Sequence, residues 1–139
     1  MNPVLEEGAS WGLLFLRLGV GMVFLMHGYP KMTGRSNDPK VNREGLTNSM
    51  RRLGLPFPSH LALGVGTIEF AGGLMLIVGL WTRWAALALA AIMAVASVRN
   101  FVEKGFLGSA DFPLSLLATL LGLIFLGGGL LSLDRLLFG

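Results

Sequence analysis

The chain has 139 residues, of which 53% are hydrophobic and only 14% are charged, so it is too apolar for a soluble domain of this length and is expected to be an integral membrane protein. Its net charge of +3 does not indicate nucleic-acid binding, because the basic residues lie in loops between apolar runs and no nucleic-acid-binding motif accompanies them. Since the chain has no cysteine, it has no disulfide, thiolate metal site or CxxC redox centre, and any thiol chemistry would belong to a partner.

Four apolar runs follow one another along the chain, each near the roughly 20 residues that a membrane-spanning helix needs. Because backbone groups in lipid must be hydrogen-bonded within the protein, we predict helices rather than open strands. Ser10 is the expected N-cap of the first helix, and Asp111 that of the fourth. The predicted fold is an all-α transmembrane four-helix bundle, a single domain over residues 1–139, with spans at about 11–28, 61–80, 84–102 and 112–131.

The longest connection between the apolar runs, residues 29–60, is polar and basic. Within it Leu46, Met50 and Leu53 recur at helical spacing. This pattern predicts a short amphipathic helix at about 42–55 that lies on the membrane surface. The alternative is a solvated loop in which the periodicity arises by chance.

The distribution of Lys and Arg predicts the orientation in the membrane. One side of the bundle carries two of these residues, Arg83 and Arg135, whereas the loops on the other side carry eight. The positive-inside rule then places the basic loops in the cytoplasm and both termini outside.

Two residues of opposite charge, Arg17 and Glu69, lie inside apolar runs that are otherwise almost free of charge. A lone charge at the centre of a membrane helix costs roughly 2.5 to 3.5 kcal/mol, so such residues pair, face the bundle interior or mark a ligand or proton path. We predict that these two pair with each other and fix the register of the helices. The alternative is a polar pocket around them for a quinone headgroup, a lipid head or a proton.

Other polar residues are weaker candidates for a site. His27 can donate to a quinone carbonyl or ligate haem, although an interfacial role is the alternative. His60 is the only other histidine, and two histidines without a carboxylate or cysteine cluster predict no metal site. Arg99 is expected to pair with Glu103 four residues on, unless it points inward. We predict no catalytic residue, and the candidates for a ligand or buried polar site are Arg17, Glu69, His27, Lys31 and Arg99.

Several strings together resemble the DoxX family. They are HGYPK at 27–31, GLPFP at 54–58, the stretch from EFAGGL to GLWTR at 69–83, and the tail GGGLLSLD at 127–134, which is similar to the closing G-x-G-x-x-S-x-D pattern of that family. The resemblance covers almost the whole chain. It implies a small four-helix protein of the bacterial or archaeal cytoplasmic (inner) membrane. Members have been linked to thiosulfate or quinol oxidation and to membrane-associated oxidoreductase complexes.

The resemblance and the composition lead to three hypotheses about function. The first is a non-catalytic accessory or anchoring subunit of a membrane-associated, quinone-linked redox complex, with a membrane or peripheral redox protein as partner. The second is a carrier or binder of a small amphiphile, a quinone or lipid, with a polar pocket around Arg17 and Glu69. The third is an enzyme acting on quinol, which would need a bound cofactor. We expect no intrinsic cofactor, and the candidate ligand is a quinone. The protein is expected to lie in the lipid bilayer, and whether it forms a homo-oligomer stays open.

Overall fold

The computed structural model describes residues 3–38 and 42–139, and over these residues the chain is helical with no strand. An irregular turn at Phe106–Ala110, in which Leu107 and Gly108 leave helical geometry, joins the fourth and fifth helices. The helices are α1 (Pro3–Thr33), α2 (Arg43–Arg52), α3 (Pro58–Val78), α4 (Thr82–Lys104), α5 (Asp111–Leu126) and α6 (Leu133–Phe138).

Four segments are long and apolar enough to cross a membrane: most of α1, all of α3 and α4, and α5 together with the turn before it. The prediction of an all-α fold with four membrane-spanning helices is therefore confirmed.

The prediction that Ser10 caps the first helix is wrong, because α1 already begins at Pro3. The Ser10 hydroxyl instead donates to the carbonyl of Glu6, 2.9 Å away, a bond that a serine inside a helix can make to the preceding turn.

The antiparallel helices α1 and α3 are in direct backbone contact through glycines. Gly21 on α1 lies against Gly73 on α3, and a Cβ added to either would fall 2.7 Å from the carbonyl oxygen of the other. One further contact of this kind, two turns along each helix, joins Gly28 to Gly66, where a Cβ on Gly28 would fall 2.8 Å from the Gly66 carbonyl oxygen. Small residues permit close packing between membrane helices.

The apolar core lies between α4, α5 and the inner faces of α1 and α3. Leu89 on α4 sits opposite Gly72 on α3, where a Cβ would fall 3.0 to 3.1 Å from the leucine side chain. Alanines on the inner face of α4 allow the neighbouring helices to approach. The large apolar side chains of the core that are fully buried are Phe24, Leu76, Leu89, Leu120 and Leu123.

The basic connection contains a helix, α2, where the apolar spacing predicts one. Asn42 caps it, since its side-chain oxygen accepts the N–H of Gly45 at 2.9 Å. Gly54 follows its end with a φ of +70°, a left-handed conformation that favours glycine. The helix contacts α3 and the end of α1. Its location at a membrane surface stays a prediction.

Candidate functional site

The structure gives the two intramembrane charges different partners, so the predicted Arg17–Glu69 ion pair is wrong. Arg17 bonds to backbone carbonyls near the C-terminus, and Glu69 bonds to Lys31. Helix geometry explains the outcome. Side chains lean toward the N-terminus of their own helix, and because α1 and α3 are antiparallel, Arg17 and Glu69 lean toward opposite ends of the bundle. Lys31 on α1 leans toward the membrane centre, where it meets Glu69.

Arg17 is almost completely buried, at 1% exposure. Its Nη1 donates to the carbonyl of Gly128, and its Nη2 donates to the carbonyl of Leu131 at 2.8 Å. Gly79, at the end of α3, leaves the space that the guanidinium occupies, because a Cβ there would fall 2.6 Å from Nη1. Backbone carbonyls thus accept from both Nη atoms, whereas Nε has no hydrogen-bond partner among the described residues.

The segment that supplies these carbonyls, residues 127–138, folds back over the end of the bundle, and we call it the C-terminal clasp. Asp134 fastens it, since its carboxylate accepts the backbone N–H groups of Trp81 at 2.5 Å and Thr82 at 2.8 Å. These N–H groups begin α4 and have no partner within that helix, and a carboxylate also interacts favourably with the helix dipole there. The N–H of Asp134 in turn donates to the carbonyl of Gly79 at 2.8 Å.

In the half of the bundle away from the clasp, Lys31 and Glu69 form a largely buried ion pair. The Lys31 Nζ lies 2.8 Å from Oε1 and 2.6 Å from Oε2 of Glu69. The glutamate side chain is 2% exposed and the lysine side chain 15%. Gly66, one turn before Glu69, makes room for the lysine stem, because a Cβ there would fall 2.6 Å from the Lys31 Cβ. The pair therefore ties the end of α1 to the middle of α3.

The remaining candidates do not join either charged site. His27 is half-buried, its Nδ1 lies 2.9 Å from the Val23 carbonyl oxygen, and its ring stacks obliquely on Phe112. Arg99 pairs with Glu103 at 3.1 Å, which confirms that sequence prediction. No group of three or more residues able to hold a metal ion occurs among the residues that the structure describes.

A cleft of about 910 Å³ opens beside the C-terminal clasp, where α1, the start of α4 and the end of α5 meet. On its wall the hydroxyl of Thr82 is fully buried and has no hydrogen-bond partner within the described part of the chain. Trp81 and Trp84 are 57% and 70% exposed at its edge. The cleft thus combines aromatic surface, an unpaired hydroxyl and charge, and its walls include Glu6, Ser10, Trp81, Thr82, Trp84 and Arg135.

Sequence reasoning missed the long-range role of the clasp. It predicted no sixth helix, whereas Ser132 caps α6 by accepting the N–H of Arg135 at 3.2 Å. What it missed is that Asp134 caps α4 and that the glycine-rich loop presents its carbonyls to Arg17. The available signal was the run of three glycines at 127–129 followed by Ser132 and Asp134.

The fold and the two charged sites define a small multi-pass membrane protein built on a four-helix bundle. The family model named DoxX matches residues 12–102. The chain belongs to the DoxX family.

Three curated relatives match most of the chain. "Putative oxidoreductase CatD" of Bacillus subtilis (strain 168) is 32% identical over 127 residues, covering 91% of this chain and 87% of the relative. An uncharacterized protein of Haemophilus influenzae is 33% identical over 142 residues, with 96% of each chain covered. "Uncharacterized membrane protein Rv3486" of Mycobacterium tuberculosis is 33% identical over 141 residues, covering 88% of this chain and 79% of the relative. No solved structure matches the chain.

Proposed function

We propose that this DoxX-family protein is a non-catalytic membrane subunit that holds a redox enzyme at the membrane. The observation that carries the proposal is the cleft beside the C-terminal clasp, a recessed and charged surface at one end of the apolar bundle. The oxidoreductase name of the Bacillus subtilis relative supports a redox setting. Because the chain has no cysteine, a thiol-dependent step in such a complex would take place on the partner.

Co-purification from the native membrane in mild detergent tests this proposal. We expect a redox enzyme to be retained by the unaltered chain and lost with Arg135→Gln, which removes an exposed positive charge at the cleft. Arg52→Gln removes an exposed charge at the opposite end and is the matched control. Repeated recovery of the free protein alone, at native expression, would contradict the proposal.

A second candidate function is the binding of a small amphiphile, a quinone or a lipid, in the same cleft. The specific support is the exposed aromatic surface of Trp81 and Trp84. The Thr82 hydroxyl lies buried behind this part of the cleft wall and has no partner among the described residues, so a side-chain shift in the wall would uncover a free donor for a ligand. A hydroxyl donor next to aromatic surface suits a carbonyl-bearing ring. The second hypothesis from the sequence placed this pocket around Arg17 and Glu69, whose side chains bond to different parts of the bundle.

Replacing the unpaired hydroxyl by a methyl group separates a ligand role from a packing role. Thr82→Val removes a buried polar group that lacks a partner, so we expect the empty protein to gain about 1 kcal/mol in free energy of unfolding. If the hydroxyl binds a quinone, the same variant should retain less quinone after purification, measured by solvent extraction. Thr67→Val, at an exposed threonine that bonds to its own helix, is the control. Equal quinone content in all three proteins would count against this function.

We also propose that the protein lies in a bacterial or archaeal cytoplasmic membrane with its basic loops in the cytoplasm and both termini outside. The support is the excess of Lys and Arg in the connection that contains α2 and at the end of α4. This orientation would place the cleft on the outer side of the membrane.

A further inference from the structure

A second, smaller cavity lies at the other end of the bundle, and its volume is about 340 Å³. It is formed by one face of α2, by Gly34 directly after the end of α1, and by Ser59 in the first turn of α3. Because α1 and α3 are membrane spans, their adjoining ends lie where hydrocarbon gives way to lipid headgroups. We therefore expect the cavity to lie at the depth of the lipid phosphates.

The charges at this cavity favour an anion. Arg43 and Arg51 line it together with a single acidic residue, Glu44, which leaves an excess of one positive charge. Arg43 donates to the Met32 carbonyl at 3.3 Å, and Arg51 donates to the Asn48 side-chain oxygen at 2.8 Å. Within residues 3–38 and 42–139 neither guanidinium forms an ion pair with a carboxylate. Each keeps further N–H groups for an anionic oxygen.

The chain segments that flank the cavity-lining residues Arg51 and Ser59 expose apolar side chains. Leu53, Leu55 and Phe57 connect α2 to α3 and are 56%, 42% and 76% exposed. On α3 itself, Leu61 is 41% exposed. A polar cavity with two arginines, bordered by exposed apolar side chains at membrane depth, matches a molecule with a phosphate head and acyl chains. It does not match a small soluble anion, which would make no use of the apolar border.

We propose that this cavity binds the phosphodiester of an anionic membrane lipid, with Arg43 and Arg51 as the residues that contact the phosphate. The hydroxyl of Ser59 and the amide of Asn48 line the same cavity and supply additional donors. The site is separate from the cleft beside the C-terminal clasp and does not depend on a redox partner.

The test compares lipid retention by the full-length protein and two single variants. The proteins are reconstituted in equal mixtures of phosphatidylglycerol and phosphatidylcholine, released into mild detergent, and weighed with bound lipid by native mass spectrometry. We expect the unaltered protein to retain phosphatidylglycerol preferentially and Arg51→Gln to lower that preference about fivefold. Arg52→Gln, the same charge change on the next residue, which does not line the cavity, should leave the preference within about twofold.

In the comparison of variants, three results would overturn the proposal: no preference in the unaltered protein, no loss with Arg51→Gln, or an equal loss with Arg52→Gln, which would indicate diffuse surface charge. A further measurement adds glycerol 3-phosphate at millimolar concentration to compete with the bound lipid. We expect the lipid to stay bound, and its displacement would instead assign the cavity to a soluble phosphate. Circular dichroism checks folding, and if Arg51→Gln does not fold, Arg43→Gln is measured in the same way.

Discussion

At the scale of single residues, the protein accommodates three buried charges in two different ways. Arg17 has no carboxylate at ion-pair distance, and two backbone carbonyls accept its N–H groups instead. Lys31 and Glu69 neutralise each other at hydrogen-bond distance. Removing one partner of a buried pair is far more costly than replacing both, because the remaining charge is left without compensation. The pair therefore links α1 to α3 in a way that a mutational cycle can measure.

We expect Lys31→Met and Glu69→Gln each to lower the free energy of unfolding by about 3 to 5 kcal/mol, and the double variant to lose less than the sum of the two. Lys31→Met should be the more severe, since it leaves a carboxylate that is 2% exposed, whereas the lysine side chain is 15% exposed and reaches water more easily. Unfolding of the purified protein in detergent provides the measurement. Strictly additive losses would contradict a direct pair.

At the scale of secondary-structure elements, contacts between backbones hold the helices together. Gly21 and Gly73 meet where α1 and α3 cross, so no side chain separates the two helices there. The clasp is held by a different kind of contact, between side chain and backbone: its carbonyls accept from Arg17, and the Asp134 carboxylate accepts the N–H groups at the start of α4. The contacts of the clasp satisfy polar groups that would otherwise be buried without partners.

Gly73→Ala is expected to destabilise the protein by about 1 to 3 kcal/mol, because its methyl group would fall 2.7 Å from the Gly21 carbonyl oxygen and from the Leu25 nitrogen. Gly12→Ala is the matched control. Nothing lies within 4 Å of a Cβ at that position of α1, and alanine favours the helix. Thermal unfolding in detergent should separate the two variants, and a similar loss in both would show that the contact between the helices is not responsible.

Asp134→Ala should loosen the clasp, because the N–H groups of Trp81 and Thr82 lose their acceptor. Loss of such a cap costs about 1 kcal/mol. We expect faster hydrogen exchange at these two amides and earlier proteolysis within residues 127–138. Asp134→Asn keeps one carbonyl oxygen and should have a smaller effect. Unchanged exchange at both amides in the alanine variant would argue against the capping role.

At the scale of the whole molecule, the outer surface of the four spans is apolar, and the polar contacts lie inside the bundle and toward its two ends. Three large apolar side chains on this surface are mostly exposed: Phe15 at 67%, Val95 at 69% and Phe125 at 79%. We expect them to face lipid. The ends differ in charge, since the end with α2 carries most of the Lys and Arg. This asymmetry is the basis for the proposed orientation.

The absence of native cysteine makes orientation directly measurable, because any introduced thiol is unique. In right-side-out membrane vesicles, a membrane-impermeant maleimide should label Glu7→Cys, near the start of α1, and should not label Asn37→Cys, in the basic connection. Both positions are exposed. Labelling of both variants after detergent is added controls for reactivity, and the reverse pattern in intact vesicles would invert the orientation.

The sequence by itself determined the membrane class, the four spans, the helix in the basic connection and the Arg99–Glu103 pair. Each of these depends on local composition or on neighbours within a helical turn. Only the tertiary structure decided the partner of Arg17, which lies 111 residues away at Gly128, and the capping of α4 by Asp134. A backbone carbonyl exists at every residue and leaves no side-chain signal, so composition cannot reveal which one a buried arginine meets. For Glu69, the two opposite charges in apolar runs indicated a pair, but the direction in which side chains lean along antiparallel helices selected Lys31 instead.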